Sequence, residues 1–499
     1  NSDRDSLAYS KLEAAEIANG RGQHDRAIAL YEEAIALAGE NAELAWDANA
    51  GLGAVHARLG APGKAGRFFE RCLQLIDAAR AGLSRSDYKL TFFSRLIRFY
   101  QTYVDMLIAS GDEFRALQVA ESSRALLLSE RLQLERERGA GLTRASLQQA
   151  AKRMNVVFLS YWLAPKRSFV WVVDGRSFTT IELPRKERID ALVGAYRSFI
   201  DTSLRDPAAA DFAAARELYD ILIAPTRSLV PRGAHIVIVP DGSMHALNVE
   251  TLPLPGATPR YLIEDLTVSV APALALTIAS APPRLTDASA VLLIGDAEAA
   301  GPDFPRLQEA GREIEAIRRR FGEGRATVIR GANATPAAYE ASSPERFAII
   351  HFAAHATANR ASPLDSSVVL SPQGNRYMLS ARAVLEHPLR AELVTLSACR
   401  SAGATVYGGE GIVGFVWAFL QTGAKSVVAG LWDVTDRSTS RMMDTMYAGL
   451  HAGAMPATAL RDAKLALIRD GGSFAHPYYW GPFQLYIGGG AARRPDRGT

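Results

Sequence analysis

Two cysteines, Cys72 and Cys399, are all that the 499 residues contain. That scarcity excludes a disulfide framework and suits a reducing compartment, so a cytoplasmic location is expected. Long apolar runs are missing too: no window approaches the roughly 20 uninterrupted apolar residues of a membrane-spanning helix, and no membrane association is expected. A charge excess is also lacking. The net charge is +3 with bases and acids interleaved, which leaves no nucleic-acid footprint. What is present, 48% apolar and 22% charged residues with a mean hydropathy of -0.01, describes a soluble globular chain long enough for about three or four domains. The chain opens on Asn1 rather than Met, which predicts that a signal peptide or further repeats preceded it.

The first quarter repeats. Gly22, Ala27, Tyr31 and Ala34 return 38 residues later as Gly60, Ala65, Phe69 and Cys72. A looser third copy has Gly111, Ala116, Ala120 and Ser123, after a longer helix carrying Phe92, Phe93, Ile97 and Tyr100. Small residues let two helices of a hairpin approach closely, while one aromatic fills the groove between neighbours. The pattern resembles tetratricopeptide (TPR) repeats, with a period longer than the usual ~34 residues. Cys72 falls at a small-residue packing position and reads as a buried structural thiol. Residues 1–134 are assigned to this array, whose concave face suits a peptide or partner protein, and the charged, Gly-containing stretch within 135–155 reads as a linker.

From Val156 the period changes to that of strands. Val156–Leu163, Ser168–Val173 and Ser177–Glu182, the last two joined by Asp174-Gly175, predict a small antiparallel meander. Helices are expected over Lys186–Ser203 and Asp211–Leu229, then a buried strand at His235–Val239 leading into a turn with His245. A histidine so placed is more often structural than catalytic. Ala281-Pro-Pro-Arg284 reads as a second linker, so 156–284 is taken as one α/β layer without evident chemistry.

Residues 285–490 alternate between the two periods, with 491–499 as a tail. Strands are expected at Val291–Ile294, Ala326–Ile329, Phe347–Ile350, Leu393–Leu396, Ser426–Ala429 and Gln484–Ile487, and helices at Phe304–Phe321, Ser380–Glu386, Ile412–Thr422, Thr439–Ala452 and Ala457–Asp470. Such alternation makes a mainly parallel sheet with helices on both faces. Its ligands and chemistry gather at the strands' C-terminal ends. His351-Phe-Ala-Ala-His355 and Leu396-Ser-Ala-Cys399 both follow such ends, 44 positions apart. A thiol on one strand tip and an imidazole on the next can form a nucleophile and base pair. His351, closer to the core strand, reads as structural and His355 as the better base. A metal is not expected, because the histidine pair lies in strand context and Phe352 stands where a zinc-helix motif has Glu. Gly408, Gly409 and Gly411 lack the Lys-Ser/Thr of a phosphate loop and read as an active-site loop. No cofactor is implied.

Together with Gly409-Glu-Gly-Ile-Val-Gly414, Gly423-Ala-Lys-Ser-Val-Val428, Leu431-Trp-Asp-Val434 and His476-Pro-Tyr-Tyr-Trp480, these tips resemble the CHAT family, caspase-like domains found with TPR repeats and related to separases and caspases. The resemblance spans about residues 156–490. It implies TPR-like repeats followed by a caspase-like α/β fold, in which a non-catalytic subdomain precedes the active one. It also implies a cysteine endopeptidase with His355 as general base, Cys399 as nucleophile, and the backbone N–H groups of Ala356 and Cys399 as oxyanion donors. Its members take part in bacterial regulated proteolysis, including anti-phage and cell-death systems. Relatives commonly carry glycine where Ala356 and Ala354 stand, and a positive φ at 356 would cost alanine about 1 kcal/mol or more. Kinship to separases makes a basic P1 residue plausible, with Glu410, Asp433 or Asp436 in its pocket; each reads equally well as a solvated loop charge or a helix cap. Two alternatives stay open: a non-catalytic scaffold for protein–protein interaction, and another thiol-acyl chemistry on the same pair. Under the leading reading the partners are a protein substrate and a protein regulator bound by the repeats.

Overall fold

The computed structural model describes residues 2–39, 41–79, 89–131, 142–203, 212–256, 260–279, 283, 285–286, 289–359, 362–397, 414–433 and 435–488. The chain forms two compact units, Asn1–Ser123 and Arg124–Thr499. Among the described residues no helix is long and apolar enough to cross a membrane.

The first unit consists of helical hairpins: α1 (Ser2–Gly20) with α2 (His24–Ala38), α3 (Ala42–Arg58) with α4 (Pro62–Ala79), and α5 (Lys89–Ala109) leading into α6 (Glu113–Arg131). The three repeat glycines sit at the hairpin turns with φ of 74° at Gly22, 68° at Gly60 and 81° at Gly111. That left-handed conformation closes a helix end and excludes most other residues. The small repeat positions Ala27, Ala34, Ala65, Cys72, Ala116 and Ala120 are all buried. Two further glycines explain how the aromatics fit. A Cβ on Gly51 would lie 2.3 Å from the Tyr31 ring, and one on Gly53 would lie 2.4 Å from the Phe69 ring. Each helix-interior glycine costs roughly 0.5–1 kcal/mol in propensity, and here the lost side chain is what admits the ring. Arg115 adds a forked pair to Glu70 at 2.7 and 2.8 Å, and Tyr103 donates to the same carboxylate at 2.5 Å, tying α4, α5 and α6.

The second unit begins within α6, at Arg124, and continues with α7 (Arg144–Met154), capped by Thr143, and then β1 (Val156–Trp162), β2 (Ser168–Val173) and β3 (Phe178–Leu183). Next come α8 (Lys186–Ser203), α9 (Ala213–Leu218), β4 (His235–Val239), β5 (Thr267–Val270) and α10 (Leu274–Ala279). The helix expected over 211–229 breaks into α9, a π turn at Tyr219–Ile223 and a 3-10 turn at Ala224–Thr226. Pro225 supplies the reason, since it lacks the N–H that an α-helix needs there.

The remainder is β6 (Val291–Gly295), α11 (Ala310–Phe321), β7 (Ala326–Arg330), α12 (Pro336–Ala341), β8 (Ile349–Ala353), β9 (His355–Thr357), β10 (Ser367–Gln373), β11 (Arg376–Ser380), α13 (Ala381–Leu385), β12 (Leu393–Ser397), α14 (Phe415–Thr422), β13 (Ser426–Gly430), α15 (Asp436–His451), α16 (Pro456–Asp470), α17 (Pro477–Trp480) and β14 (Phe483–Ile487). Helix α11 starts six residues later than its apolar pattern suggests. Pro305 disfavours α geometry at Phe304, so residues 304–309 stay a loop.

Eleven strands make one sheet in the order β3-β2-β1-β4-β5-β14-β13-β12-β8-β6-β7. Nine of them form two parallel blocks, and β2 and β3 extend the β1 edge as an antiparallel meander. The strands β1, β4, β5 and β14 run parallel to one another, as do β13, β12, β8, β6 and β7, and the blocks meet at the antiparallel pair β13–β14. The central strands are buried along their length, as expected for parallel strands covered on both faces. A separate three-stranded antiparallel sheet, β11-β10-β9, stands beside the second block.

The junction of the blocks holds an ion pair inside the core. Lys464 on α16 donates to the Glu250 carboxylate and, at 2.5 Å, to the Phe483 carbonyl. Asn248 donates to the same carboxylate at 3.0 Å and to the Gly481 carbonyl at 2.7 Å. Burial pushes the Lys464 ammonium down in pKa, opposed by Glu250.

Candidate active site

In the second block, Gly295, Ala353 and Ser397 lie side by side in register at the C-terminal ends of β6, β8 and β12. Gly295 is required there, because a Cβ would fall 2.1 Å from the Ala353 carbonyl oxygen. The next residue, Asp296, has φ of 48°. It donates its N–H to that carbonyl at 3.2 Å and accepts from Gly331 N–H at 3.1 Å. The start of the loop leading to α11 is thereby fixed to the end of β8.

Beyond Ala353 the chain turns into β9, which pairs with β10 so that His355 faces Val369 and Ala356 faces Val368. His355 is half-buried. Its Nε2 lies 2.7 Å from the Pro305 carbonyl oxygen, and its ring centroid is 6.0 Å from that of Phe304. A carbonyl oxygen can only accept, so Nε2 carries the proton, and in the neutral ring Nδ1 is the basic nitrogen. The loop that presents Pro305 is held at several points. Arg306 donates to Asp296 Oδ1 from Nε at 3.0 Å and Nη2 at 2.8 Å. Glu298 N–H donates to Ser371 Oγ at 2.9 Å, and Glu309 N–H to Asp436 Oδ2 at 2.6 Å.

Asp436 therefore stands at the first turn of α15 with one oxygen engaged, close enough to His355 to feel its charge. Burial pushes its carboxyl up in pKa; Glu313 and Glu309 add to this, while the Glu309 N–H bond and His355 oppose it. Asp433, past the end of β13, is exposed. Cys399 and Glu410 lie outside the described residues. Ala356 carries no strain, since the described non-glycine residues with positive φ are Asn155, Asp296 and Ser343.

The other two histidines of the sequence reading are packed away. His351 is 0% exposed, with Nδ1 3.0 Å from Tyr447 Oη and Nε2 2.8 Å from Glu313 Oε1. Tyr447 donates on to Thr395 at 3.0 Å, so the network joins β8, β12, α11 and α15 beneath the strand tips. His245 is 5% exposed and its pKa is lowered to about 3, first by burial and then by Arg124. Among the described residues no group of three or more His, Cys, Asp or Glu is placed to hold a metal ion. The Pro305 carbonyl, Asp296 and Arg306 went unseen in the sequence. A backbone acceptor has no side-chain signature, and an acid and a base ten positions apart in a loop look like ordinary surface charges.

Residues 213–488, more than half of the chain, match the CHAT domain family. Tetratricopeptide repeat protein 28 is 28% identical in Homo sapiens and 29% in Mus musculus, each over 114 residues or 23% of this chain. The chain spans only 4% of the human and 5% of the mouse protein. Among solved structures, the separase of the Saccharomyces cerevisiae separase–securin complex aligns with a TM-score of 0.54 at 9% identity, covering 86% of this chain and 37% of that one. At that identity the likeness is one of fold. The two parallel blocks, with a half-exposed histidine held at the strand tips of the second, thus have a family: this chain belongs to the CHAT domain family, carried behind TPR-like helical repeats.

Proposed function

We propose that this protein is a regulated caspase-like cysteine endopeptidase using His355 and Cys399, with its repeats holding a protein partner or substrate. The observation that carries the reading is the register of β8 with β12. Ala353 pairs with Ser397, and His355 and Cys399 each stand two residues further along their own chain segments. The two strands that end just ahead of the candidate base and nucleophile therefore stop side by side.

His355 Nδ1 takes the thiol proton, and the thiolate attacks the scissile carbonyl. The N–H groups of Ala356 and Cys399 stabilise the oxyanion. The imidazolium protonates the leaving amine, and Nδ1 then activates the water that releases the acyl group. Separase in the yeast structure is bound to securin, which supports a protein partner as the regulator here. For the P1 pocket the candidate acids are Glu410, Asp433 and Asp436, the last with its carboxylate partly used by the Glu309 N–H.

Fluorogenic peptides differing only at P1 test this, under reducing conditions, with Cys399→Ala as control. Cleavage by the intact protein, absent in the variant and favouring Arg or Lys, supports the reading. Cleavage that survives Cys399→Ala refutes the mechanism, and indifference to P1 charge refutes the acidic pocket.

A further inference from the structure

We propose that Asp296 and Arg306 are positioning residues that hold His355 in its proton-accepting tautomer. This inference rests on the His355–Cys399 pair proposed above.

The contacts close a ring. Ala353, the last residue of β8, accepts the Asp296 N–H at 3.2 Å. The Asp296 carboxylate holds Arg306 by two donors, at 3.0 and 2.8 Å. Pro305, the neighbour of Arg306, presents its carbonyl to His355 Nε2 at 2.7 Å. His355 is two residues from Ala353, where the ring began. A two-donor fork onto one carboxylate fixes direction as well as distance, so the pair sets where the Pro305 carbonyl points, and that carbonyl sets which ring nitrogen is protonated.

The pair is poorly suited to a purely structural role. The Arg306 side chain is 62% exposed while that of Asp296 is 11% exposed, and an ion pair whose cation stands in solvent adds little to folding stability. The surroundings are nonetheless shaped around it. Asp296 sits at φ of 48°, a conformation few side-chain residues adopt. At the start of α11, a Cβ on Gly311 would come within 2.9 Å of Asp296 Oδ2. Glycine there leaves the carboxylate its place.

The test is the pH dependence of Cys399 alkylation by iodoacetamide, read by peptide mass spectrometry on the full chain. Cys72 is an internal control, since burial raises its thiol well above the usual pKa. In the unaltered protein the alkylation rate should inflect below the ordinary thiol value of about 8.5, because a neighbouring imidazolium stabilises the thiolate. His355→Ala should return it to that value. Asp296→Asn, which tolerates the same backbone, and Arg306→Ala should each raise the inflection by about one unit, slowing alkylation near pH 7 roughly tenfold. Arg306→Lys, with charge but no fork, should fall between.

Profiles of Asp296→Asn and Arg306→Ala that superimpose on the parent while His355→Ala shifts would overturn the positioning role and leave the dyad standing. A His355→Ala profile equal to the parent would overturn both. Because Arg306 is exposed, its variants report even where Asp296→Asn folds poorly.

Discussion

His245 and His355 both follow the C-terminal end of a parallel strand, one in each block of the same sheet, and they have opposite fates. After β4 the chain covers its own strand ends. Asp241 accepts the Leu163 N–H at 2.7 Å, the turn Gly242–Ala246 buries His245, and its imidazole is forced neutral. After β8 the chain leaves as the short strand β9, and among the described residues His355 remains half-buried against the Pro305 carbonyl and the Phe304 ring. The difference teaches that a strand-end histidine is available for proton transfer only where the following segment does not close over it.

The comparison can be broken most sharply by exchanging roles. His355→Ala should reduce peptide cleavage by about 10²–10⁴-fold in kcat/KM. His245→Gln should leave cleavage within about threefold and lower the melting temperature instead. A large cleavage loss from His245→Gln would erase the distinction between the blocks.

The join between them comes next in size. Lys464→Met strands the Glu250 carboxylate in the core and should cost about 3–5 kcal/mol in chemical denaturation. The double variant with Glu250→Gln should recover much of that loss, and equal losses in single and double variants would contradict a coupled pair.

Acid should affect the covered block more than the second. Burial lowers His235 to about 4 and His245 to about 3. Both pKa values fall below the unfolded value near 6.5, so the unfolded chain binds more protons between these limits. Stability from these two groups is fully present above pH 6.5 and is lost as pH falls toward 3, on the order of 3 kcal/mol for each group by pH 4. Denaturant midpoints across this range measure it, and His245→Gln should flatten the slope.

The smallest effect belongs to the repeats. Gly51→Ala pushes a methyl into the Tyr31 ring and should cost about 1–3 kcal/mol. Circular dichroism melts would record it, with peptide cleavage unchanged.

Much of the scaffold was legible because periodicity survives in single segments. The repeat glycines, the strands at 235–239 and 168–173, and the βαβ alternation beyond 291 stand in the sequence as they do in the fold. What was hidden depends on partners distant in the chain. β5 is four residues long, too short for its Thr-Val-Ser-Val alternation to stand out, and β9 to β11 form a small sheet whose pairing no local pattern announces. The helix expected from Phe304 starts at Ala310, and the six residues it loses include the carbonyl that orients His355. For the candidate site, the sequence marked the histidine through its place after a strand, but its acceptor is a backbone atom 50 positions away. Asp436, proposed as a pocket acid, turned out to bond Glu309 because α15 and α11 start side by side.

The most direct test of the account is N-terminal labelling mass spectrometry of a host-cell lysate treated with this protein or with its Cys399→Ala variant, under reducing conditions. New protein N-termini that appear with the intact chain and vanish with the variant are the predicted result. Identical N-termini in the two samples, with candidate repeat-binding partners present, would contradict the endopeptidase reading.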